Sequence, residues 1–255
     1  MTITGERVST PAAGFNPTWQ RHVAAYALSA QFLGSGRVLD LGCGVGHSYD
    51  RLAPRETVGL DINAAALAGQ RRQTVVGDMR ALPFADGSFG SVVAVQSIEH
   101  VPDGDRVVRE AARVLVAEGV AVFVTPNRLT FGRPDEIIDP YHEVEYDPGQ
   151  LAALLAPAFG AVEVHGLFGS PRYMELYEEE RRRLDRLLRA DPLRLRRAVP
   201  RGARQRLYDL MLTRGRRRVD PRSAAISEDD FELRSEGLES CLDVVAVGRG
   251  PQRTA

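Results

Sequence analysis

The 255-residue chain predicts an α/β fold: a mostly parallel sheet covered by helices on both faces. Three observations predict it. Short apolar, β-branched runs alternate with segments of helical period from Pro17 to Leu167, the pattern of strand–helix–strand units. One run, "GSVVAVQS" (Gly90–Ser97), is apolar almost without interruption, as a strand covered on both faces must be. A third stretch, "RVLDLGCGVGHSYD" (Arg37–Asp50), passes from an apolar run into glycines at alternate positions, Gly42, Gly44 and Gly46. A tight turn needs one glycine. Three, each costing about 0.5–1 kcal/mol of order in a regular element, indicate that something comes close to the backbone.

The elements follow in order. Met1–Asn16 is polar and carries Gly and Pro, which reads as a mobile arm. Pro17–Leu33 has Trp19, Val23, Tyr26, Ala27 and Ala30 near helical spacing and predicts a helix. Arg37–Leu41 is a buried strand, and a helix is expected after the glycines, around Gly46–Leu52. Thr57–Ile62 is a second strand, Ala64–Gln70 a helix and Thr74–Asp78 a third strand. Gly90–Ser97 is the fourth strand, Asp105–Val116 an amphipathic helix and Gly119–Thr125 the fifth strand. A Pro-bearing loop, a helix near Gln150–Leu155 and a strand near Ala161–Leu167 come next, and Cys241–Gly248 is the last strand. Some seventy residues before that strand break the rhythm. Within them, Arg172–Arg218 holds sixteen Arg against seven acids. Leu184, Leu187 and Leu188, then Leu207, Leu210 and Met211, recur at helical spacing and predict two or three inserted amphipathic helices.

Composition narrows the class. Hydrophobic residues make up 44% and the net charge is −1, ordinary for a globular protein and neither polycation nor polyanion. All 33 basic residues are arginine, which fits G/C-rich codon usage and carries no functional meaning. Two cysteines, Cys43 and Cys241, are too few for a disulfide framework. Residues 1–16 lack the layout of a signal peptide, and no apolar run approaches the roughly 18 residues of a membrane span. The expectation is a soluble, cytoplasmic protein.

In an open α/β sheet, ligands bind beyond the carboxyl ends of the strands where strand order reverses, and the first strand-to-helix turn is that place. The dinucleotide pattern G-x-G-x-x-G would need a third glycine at position 47, where the chain has His47. Asp40 stands two residues before Gly42, Asp61 ends the second strand, where an acid takes ribose hydroxyls, and Asp78 ends the third. Three acids at consecutive strand ends would repel a pyrophosphate. They suit a ligand with a ribose, an adenine and a positive charge.

These stretches resemble the class I S-adenosylmethionine-dependent methyltransferases. "VLDLGCGVGH" is similar to that family's first motif, "GLDIN" to its second, and "GDMRALPFADGSFGSVVAVQSIEHV" to its third and fourth. The likeness covers Arg37–Leu167 and the last strand. It implies a doubly wound, Rossmann-like, seven-stranded sheet, mostly parallel with an antiparallel last strand, and S-adenosylmethionine as cofactor. Carried over by position, the resemblance gives Gly42, Gly44 and Gly46 a close approach to the cofactor, with Cys43 and His47 in the same loop. It sets Asp40 near the amino-acid portion and Asp61 at the ribose hydroxyls. Asp78 would accept from the adenine amine, Met79 and Ile62 would pack the ring, and Gln96 and Ser97 would line the methionine side. "LPFADGSFG" resembles the branch that acts on small molecules, and "QSIEH" stands where enzymes methylating nucleobase amino groups carry N/D-P-P-F/Y.

Methyl transfer from a sulfonium has an excellent leaving group, so no metal is required, and no His/Cys cluster in the sequence has metal-ligand spacing. A base matters when the acceptor is a hydroxyl. The candidates are His142, in "DPYHEVEY" after the fifth strand, and His100 with its neighbour Glu99 after the fourth. The expected organisation is an arm over 1–16, a methyltransferase domain over 17–168 and 233–250, and an Arg-rich helical insertion over 169–232 that would act as a lid. The expected acceptor is a small molecule, anionic if the arginines attract it. The competing readings are a nucleic-acid-modifying enzyme that uses the arginines as its footprint and a non-catalytic S-adenosylmethionine-binding protein. Acceptor identity and oligomeric state are not legible.

Overall fold

A computed structural model of the protein describes residues 16–131, 136–189, 199–216 and 220–252. Its sheet has eight strands: β1 (Val38–Leu41), β2 (Thr57–Asp61), β3 (Gln73–Val76), β4 (Phe89–Val95), β5 (Leu115–Pro126), β6 (Phe159–Gly169), β7 (Phe231–Arg234) and β8 (Asp243–Pro251). The spatial order is β3-β2-β1-β4-β5-β8-β6-β7. The order reverses beside β1, which pairs in parallel with β2 (Asp40 with Gly59) and with β4 (Asp40 with Val93). β8 returns antiparallel between β5 and β6, and β7 adds an antiparallel edge to β6.

Both faces of the central strands are dry. Along β1, β4 and the second half of β5, alternate side chains enter two separate cores, the period-two consequence of the pleat. Leu39, Leu41, Val92, Ala94 and Phe123 join one core with α3 (Gly104–Val114) and α5 (Pro148–Leu155). Val38, Val93, Val95, Val122 and Val124 join the other, with α1 (Asn16–Ser29) and the first turns of α6 (Pro171–Arg189). In α3 the residues Val107, Val108, Ala111 and Ala112 face the sheet while Arg106 and Arg109 face out. Helix α5 starts on a capping box: Asp147 accepts from the Gln150 amide N–H, and the Gln150 side chain accepts from the Asp147 N–H.

The expected seven strands and the antiparallel last one are present, with β7 as an eighth. Its four residues hold only Phe231 and Leu233 as apolar positions, too short a pattern to stand out, and it straddles the boundary expected between insertion and domain. The helix expected after the glycines is a single 3₁₀ turn, Tyr49–Leu52. Ala53 is extended there, as a residue before proline prefers. The helix expected over Ala64–Gln70 is one turn, α2 (Ala64–Leu67), because Gly69 takes φ +82°. A short helix, α4 (Arg128–Phe131), was not expected. Tyr173, Met174 and Tyr177 hold the start of α6 against the sheet, with Tyr173 edge-on to Phe231 at 4.6 Å, so this part of the Arg-rich segment completes the core. Helices α7 (Arg201–Arg216) and α8 (Pro221–Ala224) follow. Of the expected apolar stripes, Leu188 is buried and Leu184 half-buried, whereas Leu207 and Leu210 are exposed. Of the expected arm over 1–16, Asn16 is instead the buried first residue of α1, its side chain donating to the Ser223 and Ile226 carbonyls; residues 1–15, the side chains of Leu187 and Met211, and Arg217–Arg218 lie outside the described residues. Among the described residues no helix is long and apolar enough to cross a membrane.

Candidate functional site

Gly42, Gly44 and Gly46 have φ of +66°, +52° and +67°, which L side chains rarely adopt. Two of them are also hemmed in, each by a different neighbour. A Cβ on Gly42 would stand 2.5 Å from the Ser97 Cβ, so the ends of β1 and β4 touch there. A Cβ on Gly46 would stand 2.2 Å from Gln70 Oε1. A Cβ on Gly44 would meet nothing within 4 Å, so at this position the conformation alone calls for glycine. The loop is held by its neighbours: Asp61 Oδ2 accepts from the Gly44 N–H at 2.9 Å, Gln70 Nε2 donates to the Gly44 carbonyl at 2.9 Å, and Ser97 Oγ donates to the Leu41 carbonyl at 2.9 Å.

A cavity of about 300 Å³ opens over these strand ends. Of the cofactor residues expected from the sequence, Gly42, Cys43, Gly44, His47, Asp61, Ile62, Asp78, Met79, Gln96 and Ser97 line it. Ile62 is 69% exposed, an apolar shelf beside Asp61. Asp78 is gripped by Arg80, whose Nη2 donates at 2.7 Å, and this holds its carboxyl below the usual range. Burial, chiefly, pushes the Cys43 thiol up to about 12, so it stays protonated. Burial and the neighbouring His22 lower His47 to about 3, leaving a neutral ring packed on Trp19 at 4.6 Å and near Tyr26. Gln96 sits at φ +52°, an uncommon conformation for a non-glycine residue, and its Nε2 donates to Asp243 Oδ1 at 2.7 Å.

Two expected residues are placed differently. Asp40 does not line the cavity. The pleat turns it to the same face as Val38, toward α1, where it is fully buried. It accepts from Arg72 Nη2 at 2.7 Å and from the Tyr26 hydroxyl at 2.9 Å. Tyr26 does line the cavity, so Asp40 reaches the site through that hydroxyl. Gly46 likewise packs on Gln70 and is absent from the wall. Sequence reasoning missed His22 and Tyr26 on α1, Arg80, and the Arg21–Asp243 pair that steadies Gln96. Arg21 and Asp243 stand at opposite ends of the chain, and no local pattern links them.

The far end of the cavity holds the candidate catalytic residues. The loop before α5 docks on the turn after β4, with the N–H groups of Glu143 and Val144 donating to the Glu99 carbonyl at 2.8 and 3.2 Å. This brings His142 against His100, ring centroids 5.3 Å apart. His100 lines the cavity; His142, its side chain 6% exposed, stands behind it. His142 Nδ1 lies 3.2 Å from Glu145 Oε1, and His100 Nδ1 lies 3.1 Å from the Tyr141 carbonyl. Burial opposes charge on His142, but the Glu145 hydrogen bond and the carboxylates of Glu99 and Asp139 outweigh it and raise its affinity for a proton. Glu99 is 1% exposed; its Oε2 accepts from Thr125 Oγ1 at 3.0 Å and its Oε1 has no partner. One ligand atom from each of Glu99, His100 and His142 lies within 4.8 Å of the other two. The sequence spacing suggested no such cluster; the docking of two distant loops creates it.

Helix α7 lies over this end. Tyr208 donates to Asp139 Oδ2 at 2.8 Å, Tyr141 to Asp209 Oδ2 at 2.7 Å, and Arg201 pairs with Glu143 and donates to the Pro140 carbonyl.

The site therefore has two ends. One offers a close-approach glycine loop, an acid at the end of β2 and an apolar shelf, features that fit a nucleoside. The other offers two imidazoles and a buried carboxylate.

Residues 39–123 match a family described as methyltransferase domain. A probable S-adenosylmethionine-dependent methyltransferase of Mycobacterium tuberculosis is 36% identical over 186 residues, covering 69% of this chain and 68% of the relative. One of Mycolicibacterium smegmatis is 32% identical over 98% of this chain and 96% of the relative. A shorter stretch, 42% of this chain and 35% of the relative, is 30% identical to tocopherol O-methyltransferase of Arabidopsis thaliana. Among solved structures, a SAM-dependent methyltransferase of Thermotoga maritima, titled a possible histamine N-methyltransferase, superposes with a TM-score of 0.62 over 92% of each chain at 16% identity, a likeness of fold.

Proposed function

This chain belongs to the S-adenosylmethionine-dependent methyltransferases, and from that premise we propose that it methylates a small-molecule acceptor on a hydroxyl oxygen. The cofactor supplies a methyl carbon on a sulfonium, with a leaving group that needs no activation. The protein's share is then alignment and exclusion of water, for which effective molarities reach roughly 10⁵ M or more.

In this reading Asp61 takes the ribose hydroxyls, Ile62 and Met79 flank the adenine, and Asp78 accepts from its amine while keeping Arg80. Gly42 and Gly44 admit the ligand to the backbone. Gln96 and Ser97, with the neutral ring of His47 and the Tyr26 hydroxyl, line the methionine end, where an uncharged aromatic wall suits a cation. Asp40 and Gly46 act from behind, on Tyr26 and Gln70.

The observation that carries the acceptor assignment is the Glu99–His100–His142 cluster, which meets the cavity through His100. A hydroxyl must lose its proton as the methyl group arrives, and groups that handle a proton contribute about 10²–10⁴-fold. Helix α7, within the expected insertion over 169–232, caps this end. Arg201 is engaged with Glu143, so its part is to hold the loop; an anionic acceptor would be drawn by the exposed Arg181–Arg183.

The test is transfer of a labelled methyl group from S-adenosylmethionine to a panel of small hydroxyl compounds, with structured RNA as a comparison and the product bond identified by mass spectrometry. His142→Ala should lower kcat more than tenfold and leave affinity for S-adenosylhomocysteine within about twofold, since the loss expected of a proton-handling group exceeds tenfold. Joint Tyr141→Phe and Tyr208→Phe should raise KM for the acceptor. An N-methyl product, or RNA as the preferred acceptor, would overturn the assignment.

A further inference from the structure

We propose that Glu99, His100 and His142 form a binding site for one divalent first-row transition-metal ion, beside the cofactor cavity. The three side chains are arranged as ligands are. Their donor atoms lie within 4.8 Å of one another. Zinc-type ions hold nitrogen and oxygen ligands at about 2.0–2.2 Å in tetrahedral geometry, which sets two ligands on one ion about 3.5 Å apart. The three side chains would draw together by about 1.3 Å at most to close on an ion.

The second observation is how each group is anchored. Metal-bound histidines almost always give their other ring nitrogen to a carboxylate or a backbone carbonyl, which fixes tautomer and orientation. Here His142 Nδ1 faces Glu145 Oε1 and His100 Nδ1 faces the Tyr141 carbonyl, leaving Nε2 of each ring for a ligand bond. Glu99 repeats the pattern, with Oε2 held by the Thr125 hydroxyl and Oε1 buried with no partner. A buried carboxylate oxygen without a partner is costly, and a cation at this place would satisfy it.

The donor set selects the ion. Two imidazoles and one carboxylate suit zinc, iron, cobalt or manganese, whereas magnesium and calcium prefer all-oxygen sites. Three protein ligands leave at least one open position. Because His100 also belongs to the cavity wall, the ion would face the acceptor's place, where an acceptor oxygen could complete its shell. That use rests on the acceptor assignment above; the binding does not.

The experiment uses the full chain without a histidine tag, stripped with chelator and titrated with Co²⁺ and separately with Zn²⁺. Expected are one equivalent of zinc by elemental analysis after dialysis and visible Co²⁺ absorption bands that saturate at one equivalent. Glu99→Gln and His142→Ala should each weaken zinc affinity at least tenfold. His165→Ala, at a histidine next to Glu163 and outside the cluster, should leave it unchanged. Retained affinity for S-adenosylhomocysteine certifies that the variants fold. Zinc below a tenth of an equivalent, or Co²⁺ bands untouched in folded Glu99→Gln and His142→Ala, would overturn the site. Methyl transfer in chelator separates the two proposals: activity without bound metal leaves the acceptor reading and removes the ion's use at the acceptor, while the zinc and Co²⁺ titrations alone decide the site. Stoichiometric zinc with an N-methyl product leaves the site and removes the acceptor reading.

Discussion

Replacing Asp61 by alanine should weaken the cofactor product S-adenosylhomocysteine by about 10- to 150-fold. Asp61 is buried at the end of β2. Its carboxylate accepts from the Gly44 N–H at 2.9 Å and from the Asn63 N–H at 2.8 Å, and so ties the glycine loop to the turn before α2. A hydrogen bond to a charged group contributes about 1.5–3 kcal/mol. If the carboxylate also takes the ribose hydroxyls, its removal subtracts that amount from binding, and each 1.4 kcal/mol is a factor of ten. The two backbone N–H groups lose an acceptor in the free protein as well, so the variant should also melt at a lower temperature. Asp61→Asn keeps one acceptor oxygen without the charge and should fall between. The assay is calorimetric titration with S-adenosylhomocysteine, with ligand-free thermal unfolding measured beside it. A folded Asp61→Ala protein binding within twofold of the parent would refute the ribose assignment. Lower stability with unchanged affinity would leave Asp61 as a clamp on the loop and nothing more.

Two further outcomes concern stability. The Arg72–Asp40 pair is almost wholly buried, with side chains 4% and 0% exposed, and removing one partner of such a pair leaves an uncompensated charge that costs about 3–5 kcal/mol. Arg72→Met should lose about that much in denaturant unfolding, and a further Asp40→Asn should recover part of it; a loss under 1 kcal/mol would show that Tyr26 alone satisfies Asp40. At Asp230, burial opposes ionisation, but hydrogen bonds from Arg172, Ser170 and the Ser227 N–H outweigh it and hold the carboxyl down at about 2. The unfolded value is about 3.9, so the stabilisation is full above that pH and is lost as pH falls through about 2. The stability difference between the parent and Asp230→Asn should therefore shrink as pH falls from about 4 to 2, and a pH-independent difference would refute it.

Some of this molecule is written locally. Val38–Leu41, Thr57–Asp61 and Phe89–Val95 declare themselves as strands because burial on both faces demands continuous apolar runs, and a run needs only its own residues. The glycine loop declares itself because positive φ at Gly42, Gly44 and Gly46 selects glycine whatever lies around it. Asp61 could be found by its place at a strand end. These features determined the fold class, the ligand end of the cavity and the family resemblance.

The tertiary structure decided what depends on residues far apart in the chain. The side to which Asp40 points follows from the pleat of β1 against α1, so a residue two short of the glycines belongs to a buried pair rather than to the cavity wall. Strand β7 exists because β6 offers an edge to Phe231–Arg234, and the exposure of Leu207 and Leu210 shows that helical spacing alone does not say what a stripe will face. Glu99 and His100 follow β4 and His142 follows β5. Only the docking of the second loop on the Glu99 carbonyl turns three unremarkable residues into one cluster, because chemistry at a site depends on distance in space, and spacing along the chain constrains that distance only within a single element.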